Sequence, residues 1–156
     1  MNNEWLKKKK ILITNLWLEN YSGSELNCLS IAKEFIRRGA NVEIATLDYG
    51  EPICHEFERE NIKVTIIPHQ KLSSSHYDLV WAYHSIVLNM VLFVEKITAD
   101  KIVFGSLGPK EPFEAAPIYA DDLTQCISVS KETLNVMLYN SQVKNCIVFA
   151  ECSRQL

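Results

Sequence analysis

Apolar positions along this chain follow two alternating rhythms. Short, nearly continuous runs such as Ile11-Leu12-Ile13 and Leu79-Val80-Trp81-Ala82-Tyr83 read as strands buried on both faces, the habit of a parallel sheet. Between them lie stretches with apolar residues three and four apart, the period of a helix with one buried face. The first strand is expected over 10–15 and a loop over 16–23. Ser24 is the expected N-cap of a helix whose apolar face is Leu26, Leu29, Ala32, Phe35 and Ile36. Arg37 and Arg38 suit its C-terminal dipole, and Gly39 suits the position just past its end. Further strands are expected at 41–47, 62–67, 78–83, 101–104, 125–128 and 145–149. A short helix is expected over 53–60, and one with little polar surface, packed between other elements, over 85–97. A last helix runs from a Ser130 cap to the neighbourhood of Asn140. Residues 48–52 read as a turn, 69–77 as an exposed, mobile loop, and 105–117 as a loop. Strands alternating with helices predict an α/β fold, a doubly wound, Rossmann-like parallel sheet of about seven strands with helices on both faces.

Composition narrows the class. A chain of 156 residues fits one domain, expected over 1–150, with 151–156 as a tail or the start of an interdomain linker. A core of that size forms without disulfides or metal. The net charge of −3 argues against a nucleic-acid partner, which would show a basic stripe. One basic run exists, Lys7 to Lys10. It reads either as a solvated lead-in or as a contact with an anionic membrane surface. The five cysteines (Cys28, Cys54, Cys126, Cys146, Cys152) are scattered and odd in number, as expected of small core residues in a reducing compartment. No His or Cys pair has metal-ligand spacing, so no metal is expected. The start of the chain does not read as a secretory signal, and the longest apolar stretch, around 86–94, is too short to span a bilayer. A cytoplasmic location is expected, with peripheral contact at the inner face of the membrane as the reading attached to the lysine run.

In an open parallel sheet, ligands bind at the carboxyl ends of the strands. That rule selects the candidate residues. Ser22, Gly23, Ser24 and Glu25 lie where the first strand's loop meets a helix N-terminus, whose N–H groups lack intrahelical partners. An ordinary capped helix is the competing reading. His84 follows the fourth strand directly and could hydrogen-bond a sugar hydroxyl or carry a proton, though a histidine at a strand end is often structural. After the fifth strand, Ser106 and the Gly108 backbone could meet a polar ligand and Glu111 could accept hydroxyl hydrogen bonds; the alternative is a solvated turn. Ser128 and Ser130 flank another strand-to-helix turn, where capping explains Ser130. There is no Gly-x-Gly-x-x-Gly after a strand, no Walker loop and no Gly-x-Ser-x-Gly. Nicotinamide and flavin enzymes, P-loop NTPases and nucleophile-elbow hydrolases are therefore not indicated, and no cofactor is expected.

Five stretches taken in order carry a resemblance. They are Lys9-Lys10-Ile11-Leu12-Ile13; Ser22-Gly23-Ser24-Glu25 with Leu29 and Ala32-Lys33-Glu34-Phe35; Arg38-Gly39-Ala40-Asn41-Val42-Glu43-Ile44; Tyr77-Asp78-Leu79-Val80-Trp81-Ala82-Tyr83-His84; and Ile127-Ser128-Val129-Ser130-Lys131-Glu132-Thr133. Their order and spacing resemble the N-terminal domain of a GT-B, family 4-like retaining glycosyltransferase, the type that builds bacterial polysaccharide and lipopolysaccharide. The resemblance implies an enzyme that moves a sugar from a nucleotide-sugar to a glycan or lipid-linked acceptor. This domain would supply the acceptor side, and its first loop would approach the donor phosphates. The C-terminal, donor-binding domain is missing from these residues on that reading, and the fragment alone would be inactive. Two departures stand out. The first glycine of the family's Gly-Gly-x-Glu is Ser22, and the histidine common after the fifth strand is absent, with Phe104-Gly105-Ser106-Leu107-Gly108 in its place. His84 lies one residue from the usual strand-four position and is the only candidate for a catalytic role. The alternative class is a stand-alone, non-catalytic Rossmann-like binding or regulatory module.

Overall fold

The computed structural model describes residues 3–108, 115, 117, 122–140 and 146–148. Glu111, most of the loop after the fifth strand and residues 149–156 lie outside the described residues. Seven strands form one all-parallel sheet: β1 (Lys10–Thr14), β2 (Asn41–Thr46), β3 (Lys63–Ile66), β4 (Leu79–Tyr83), β5 (Ile102–Ser106), β6 (Gln125–Ser128) and β7 (Cys146–Val148). Their spatial order is β3-β2-β1-β4-β5-β6-β7. The order reverses between β1 and β4, which makes that junction the topological switch point. The expected doubly wound α/β sheet is therefore present, with helices on both faces.

The two faces carry separate cores. On one, α1 (Gly23–Arg37) and α2 (Cys54–Arg59) cover Ile11, Ile13, Ile44, Leu79 and Tyr83 through Cys28, Leu29, Ala32 and Phe57. On the other, α3 (Ser85–Asn89) and α4 (Lys131–Asn140) cover Leu12, Val80, Ala82, Phe104 and Cys126 through Val87, Leu88 and Met137. Helix α3 runs on into a π-helical turn, Met90–Val94, in which the Glu95 N–H reaches back to the Met90 carbonyl. It buries one face and leaves Ile86, Phe93 and Val94 exposed, so it is not sandwiched between other elements as its composition suggested. No helix among the described residues is long and apolar enough to cross a membrane.

Local chemistry explains where α1 begins and ends. Its N-cap is Ser22, two residues earlier than expected, because Ser22 and Glu25 form a capping box. Ser24 sits inside the first turn instead. At the other end Gly39 adopts φ +88, its N–H bonds the Ile36 carbonyl, and the Ala40 N–H bonds the Phe35 carbonyl. That is the Schellman arrangement, and the left-handed φ is why glycine stands there.

Three other expectations need correction. The segment at 48–52 is not only a turn, since Asp48–Tyr49 pairs in parallel with Trp17–Leu18 as a two-stranded ladder. Strand β5 continues two residues beyond the expected end, so Gly105 and Ser106 belong to the sheet. The 69–77 segment is anchored rather than loose. Its Tyr77 is 2% exposed, His76–Tyr77 pairs with Thr98–Ala99, and a buried carboxylate from β2 holds it down. That carboxylate is Glu43. It accepts hydrogen bonds from Thr65 Oγ1 (2.6 Å), Tyr77 Oη (2.6 Å) and the Ser73 N–H (3.0 Å), and Lys63 Nζ lies 2.9 Å away.

Candidate functional site

The site is built at the switch point, where β1 ends. Thr14 Oγ1 donates to the Tyr83 carbonyl at 3.1 Å, fastening β1 to β4. Asn15, fully buried, turns the chain. Its Oδ1 accepts the Leu16 N–H (2.8 Å) and its Nδ2 donates to the Ser24 carbonyl in the first turn of α1 (3.1 Å). The same Leu16 N–H also points to His84 Nδ1 at 3.2 Å. An N–H donor there requires Nδ1 to be an acceptor, which places the neutral ring's proton on Nε2. His84 itself sits at φ 61, ψ 108, an uncommon conformation for a residue with a side chain, and is 9% exposed. Its place directly after a buried strand was legible in the sequence; its part in holding the first loop was not.

Glu25 shapes that loop from inside. Its Oε1 accepts the N–H groups of Glu19 (2.8 Å) and Asn20 (2.9 Å), and Oε2 accepts the Ser22 N–H (2.8 Å). Burial pushes its pKa up, but the hydrogen bonds from Ser22, Asn20 and Glu19 outweigh this and leave it below the ordinary value. The carboxylate is therefore charged at neutral pH, and it is turned into the loop rather than toward the crevice. A full negative charge beside a helix start also offsets the helix dipole, roughly half a charge at that end. The loop is thus a weaker cradle for phosphate than a bare helix N-terminus, and better suited to neutral hydroxyl groups.

Gly23 and Ser24 remain at the exposed start of α1, with N–H groups that an α-helix leaves without intrahelical partners. A Cβ on Gly23 would meet nothing within 4 Å, so the space over it is open. The Ser22 and Ser24 hydroxyls lie 3.3 Å apart. Cys28, buried beneath the loop, has its thiol pushed up to about 12 by burial, which removes it as a nucleophile.

A groove of about 380 Å³ opens beside this helix start. One wall is α1, through Gly23, Leu26, Asn27, Ser30 and Ile31, a stripe at helical spacing. The other wall is the carboxyl half of β4, β5 and β6, through Trp81, Tyr83, Gly105, Ser106, Ile127 and Val129. Tyr83 Oη donates to Asn27 Oδ1 at 2.7 Å across the groove floor. Burial raises the Tyr83 pKa, so the phenol stays protonated. Gly105 is required by packing, since a Cβ there would lie 2.9 Å from the Tyr83 ring.

Of the residues singled out from sequence, the groove brings together Gly23 and Ser106. Ser106 is fully buried, with its Oγ 3.5 Å from the Gly108 carbonyl. Ser22, Ser24, Glu25, His84 and Gly108 do not line it. Ser130 caps α4, accepting the Thr133 N–H at 3.1 Å, as expected. Sequence reasoning placed Tyr83 at a strand end facing the crevice but missed Asn27, Ser30 and Trp81. The signal available was the polar break on the α1 stripe facing an aromatic pair on β4. Among the described residues no three His, Cys, Asp or Glu side chains converge as a metal site would need. No protein-family model matches the chain, and no curated protein is significantly similar to it.

Proposed function

We propose that this chain is the N-terminal, acceptor-side domain of a GT-B, family 4-like glycosyltransferase. The full-length protein transfers a sugar from a nucleotide-sugar to a glycan or lipid-linked acceptor in cell-surface polysaccharide or lipopolysaccharide synthesis. The observation that carries this reading is the α1 loop at the switch point of a β3-β2-β1-β4-β5-β6-β7 sheet, with a groove of hydroxyl-binding and apolar groups beside it. The five sequence stretches that resemble the family fall on the elements that build this edge: β1, the α1 start, β2, β4 and the β6–α4 turn. A turned-in Glu25 favours a neutral polyol over a phosphate at this wall, as an acceptor side requires. The donor is held elsewhere, by a second domain, so residues 1–156 alone are inactive.

The protein works in the cytoplasm and touches the inner face of the membrane through its basic run. Lys7 and Lys8 are exposed there, while Lys9 pairs with Asp78 at 2.6 Å. Vesicle co-sedimentation tests the electrostatic contact: binding to anionic vesicles that falls as salt rises supports it, and salt-insensitive or absent binding removes it. The transfer reading is tested by incubating the intact gene product with a panel of nucleotide-sugars and following release of the nucleotide. Transfer or slow sugar-nucleotide hydrolysis is expected. Neither activity with any donor would leave the non-catalytic binding module as the better description.

A further inference from the structure

Among the described residues the sheet is not equally covered on its two faces. Along β6, Cys126 and Ser128 point to the α3–α4 side and are fully buried, whereas Ile127 between them is half-buried and Val129 just after them is 41% exposed. Along β7, Val148 is 8% exposed and Ile147, facing the α1 side, is 40% exposed. Both α3 and α4 lie on the first of these sides, whereas the core under α1 extends past β4 only to the half-buried Val103 on β5 and Leu107 after it. Parallel sheets are normally buried on both faces, so among the described residues an apolar surface on the α1 side is left only partly covered.

The groove is the part of that surface with a closed shape. It ends at Trp81, whose ring packs edge-on against Phe35 with centroids 5.9 Å apart. Among the described residues none nearer the amino ends of the strands, such as Val103, lines it. It is thus a pocket in the carboxyl half and not a slot running the length of α1. Its volume of about 380 Å³ falls in the small-molecule range, roughly 300–1,000 Å³. Its chemistry is divided. Leu26, Ile31, Ile127 and Val129 give apolar walls, while the Asn27–Tyr83 pair, Ser30 and the helix start at Gly23 supply neutral hydrogen-bonding groups. Among the described residues no charged side chain lines it.

We infer that the groove binds the apolar portion of a hydroxylated amphiphile, with the alkyl or aryl group against β5 and β6 and the hydroxyl-bearing head at the start of α1. This deepens the acceptor-side reading and rests on it: the acceptor carries an apolar aglycone next to the sugar that is extended. The neutral lining among the described residues and the charged Glu25 nearby favour a hydroxylated, apolar occupant over a phosphate-bearing one.

The probe is octyl glucoside below its micelle-forming concentration, with glucose as the control. Trp81 lines the groove, so its emission reports occupancy once Trp5 and Trp17, both exposed, are changed to phenylalanine. Saturable binding of one octyl glucoside per chain, with no response to glucose, is expected. Ser30→Phe fills the groove from an exposed helix position and should weaken binding at least tenfold; Val129→Lys, outside the helix, should do the same. Unchanged binding in both variants, an equal response to glucose, or no saturable response overturns the inference. So does concentration-dependent dimerisation that Ser30→Phe abolishes, which would assign the groove to a second copy of the chain. The assay requires no sugar transfer, so the two readings fail separately. Groove binding without any transferase activity in the intact protein removes the transferase, whereas transfer to acceptors lacking an apolar group, with an empty groove, removes only the inference.

Discussion

Replacing Glu43 with alanine tests how the crossover between β3 and β4 is held. The carboxylate is 4% exposed and sits in mid-strand on β2. Removing it strands the Thr65 and Tyr77 hydroxyls, 1% and 2% exposed, and the Ser73 N–H that now bonds it at 3.0 Å. A buried donor left without an acceptor costs about 1–3 kcal/mol. Water entering the vacated space offsets part of this, and the exposed Lys63 rehydrates at little cost. The sum is about 3–5 kcal/mol, a large share of the roughly 5–15 kcal/mol that stabilises a domain. At about 2–4 °C per kcal/mol for a chain of this size, Tm should fall by roughly 6–20 °C. Glu43→Gln keeps the shape but turns an NH2 toward donors, and should fall between the two. The pH dependence supplies a second check. Burial pushes the Glu43 pKa up, but the Thr65, Tyr77, Lys63 and Ser73 hydrogen bonds outweigh it and hold it below the ordinary value. Its stabilisation is thus fully present above the unfolded pKa, about 4.3, and is lost as pH falls through the folded pKa. The gap between native protein and Glu43→Gln should be constant from pH 6 upward and close below about pH 4. Urea denaturation at several pH values measures both quantities. A loss under about 1 kcal/mol for the alanine variant, or a gap that widens in acid, would refute the reasoning.

Three further outcomes follow from the site. Gly105→Ala pushes a methyl group to 2.9 Å from the Tyr83 ring, which is pinned by its bond to Asn27; a loss of about 1–3 kcal/mol in denaturant titration is expected. Asn15→Ala releases the Ser24 carbonyl but leaves the Leu16 N–H with His84, so the loss should be about 1–2 kcal/mol, with faster amide exchange concentrated in residues 16–25. Glu25→Gln should leave α1 folded yet loosen the loop at neutral pH. Because the native Glu25 pKa is held down, the difference between the two proteins should shrink as pH falls below about 4, read by exchange of the Glu19 and Asn20 amides.

Much of the fold was legible because strand and helix periods differ sharply. All seven strands of the sheet were expected within a few residues, and Gly39 marked the end of α1. What failed was short or tertiary. The Trp17–Leu18 and Asp48–Tyr49 ladder has two residues per strand, too few for a period to show. Ser24 was expected as the α1 cap, whereas Ser22, three residues before Glu25, carries the capping-box spacing and is the cap. Glu43 was hidden in a strand otherwise read from Val42, Ile44 and Ala45. A charge in mid-strand of a two-sided sheet signals a buried network, but its partners Thr65 and Tyr77 lie 22 and 34 residues away. The groove was the least legible feature, because it depends on how α1 lies against the side chains of β4, β5 and β6.

The opening loop illustrates how a residue that breaks a pattern can leave the structure unstrained. Ser22 stands where the resembled family has glycine, and the natural concern is that a side chain distorts the turn. Yet Ser22 has φ −85 and ψ 171, extended backbone open to any residue. No glycine is needed for conformation there, and Gly23 next to it faces open space. What fixes the loop is side-chain capture of its backbone: Glu25 holds the N–H groups of Glu19, Asn20 and Ser22, and Asn15 with His84 holds that of Leu16. Those four donors are thereby withdrawn from any ligand. The groups left facing outward are the helix-start N–H groups of Gly23 and Ser24 and the Ser24 hydroxyl, which lies 3.3 Å from the capping hydroxyl of Ser22. Replacing glycine by Ser22 thus exchanges close backbone approach for a side chain that caps α1, so the loop is held by side-chain capture at both Ser22 and Glu25.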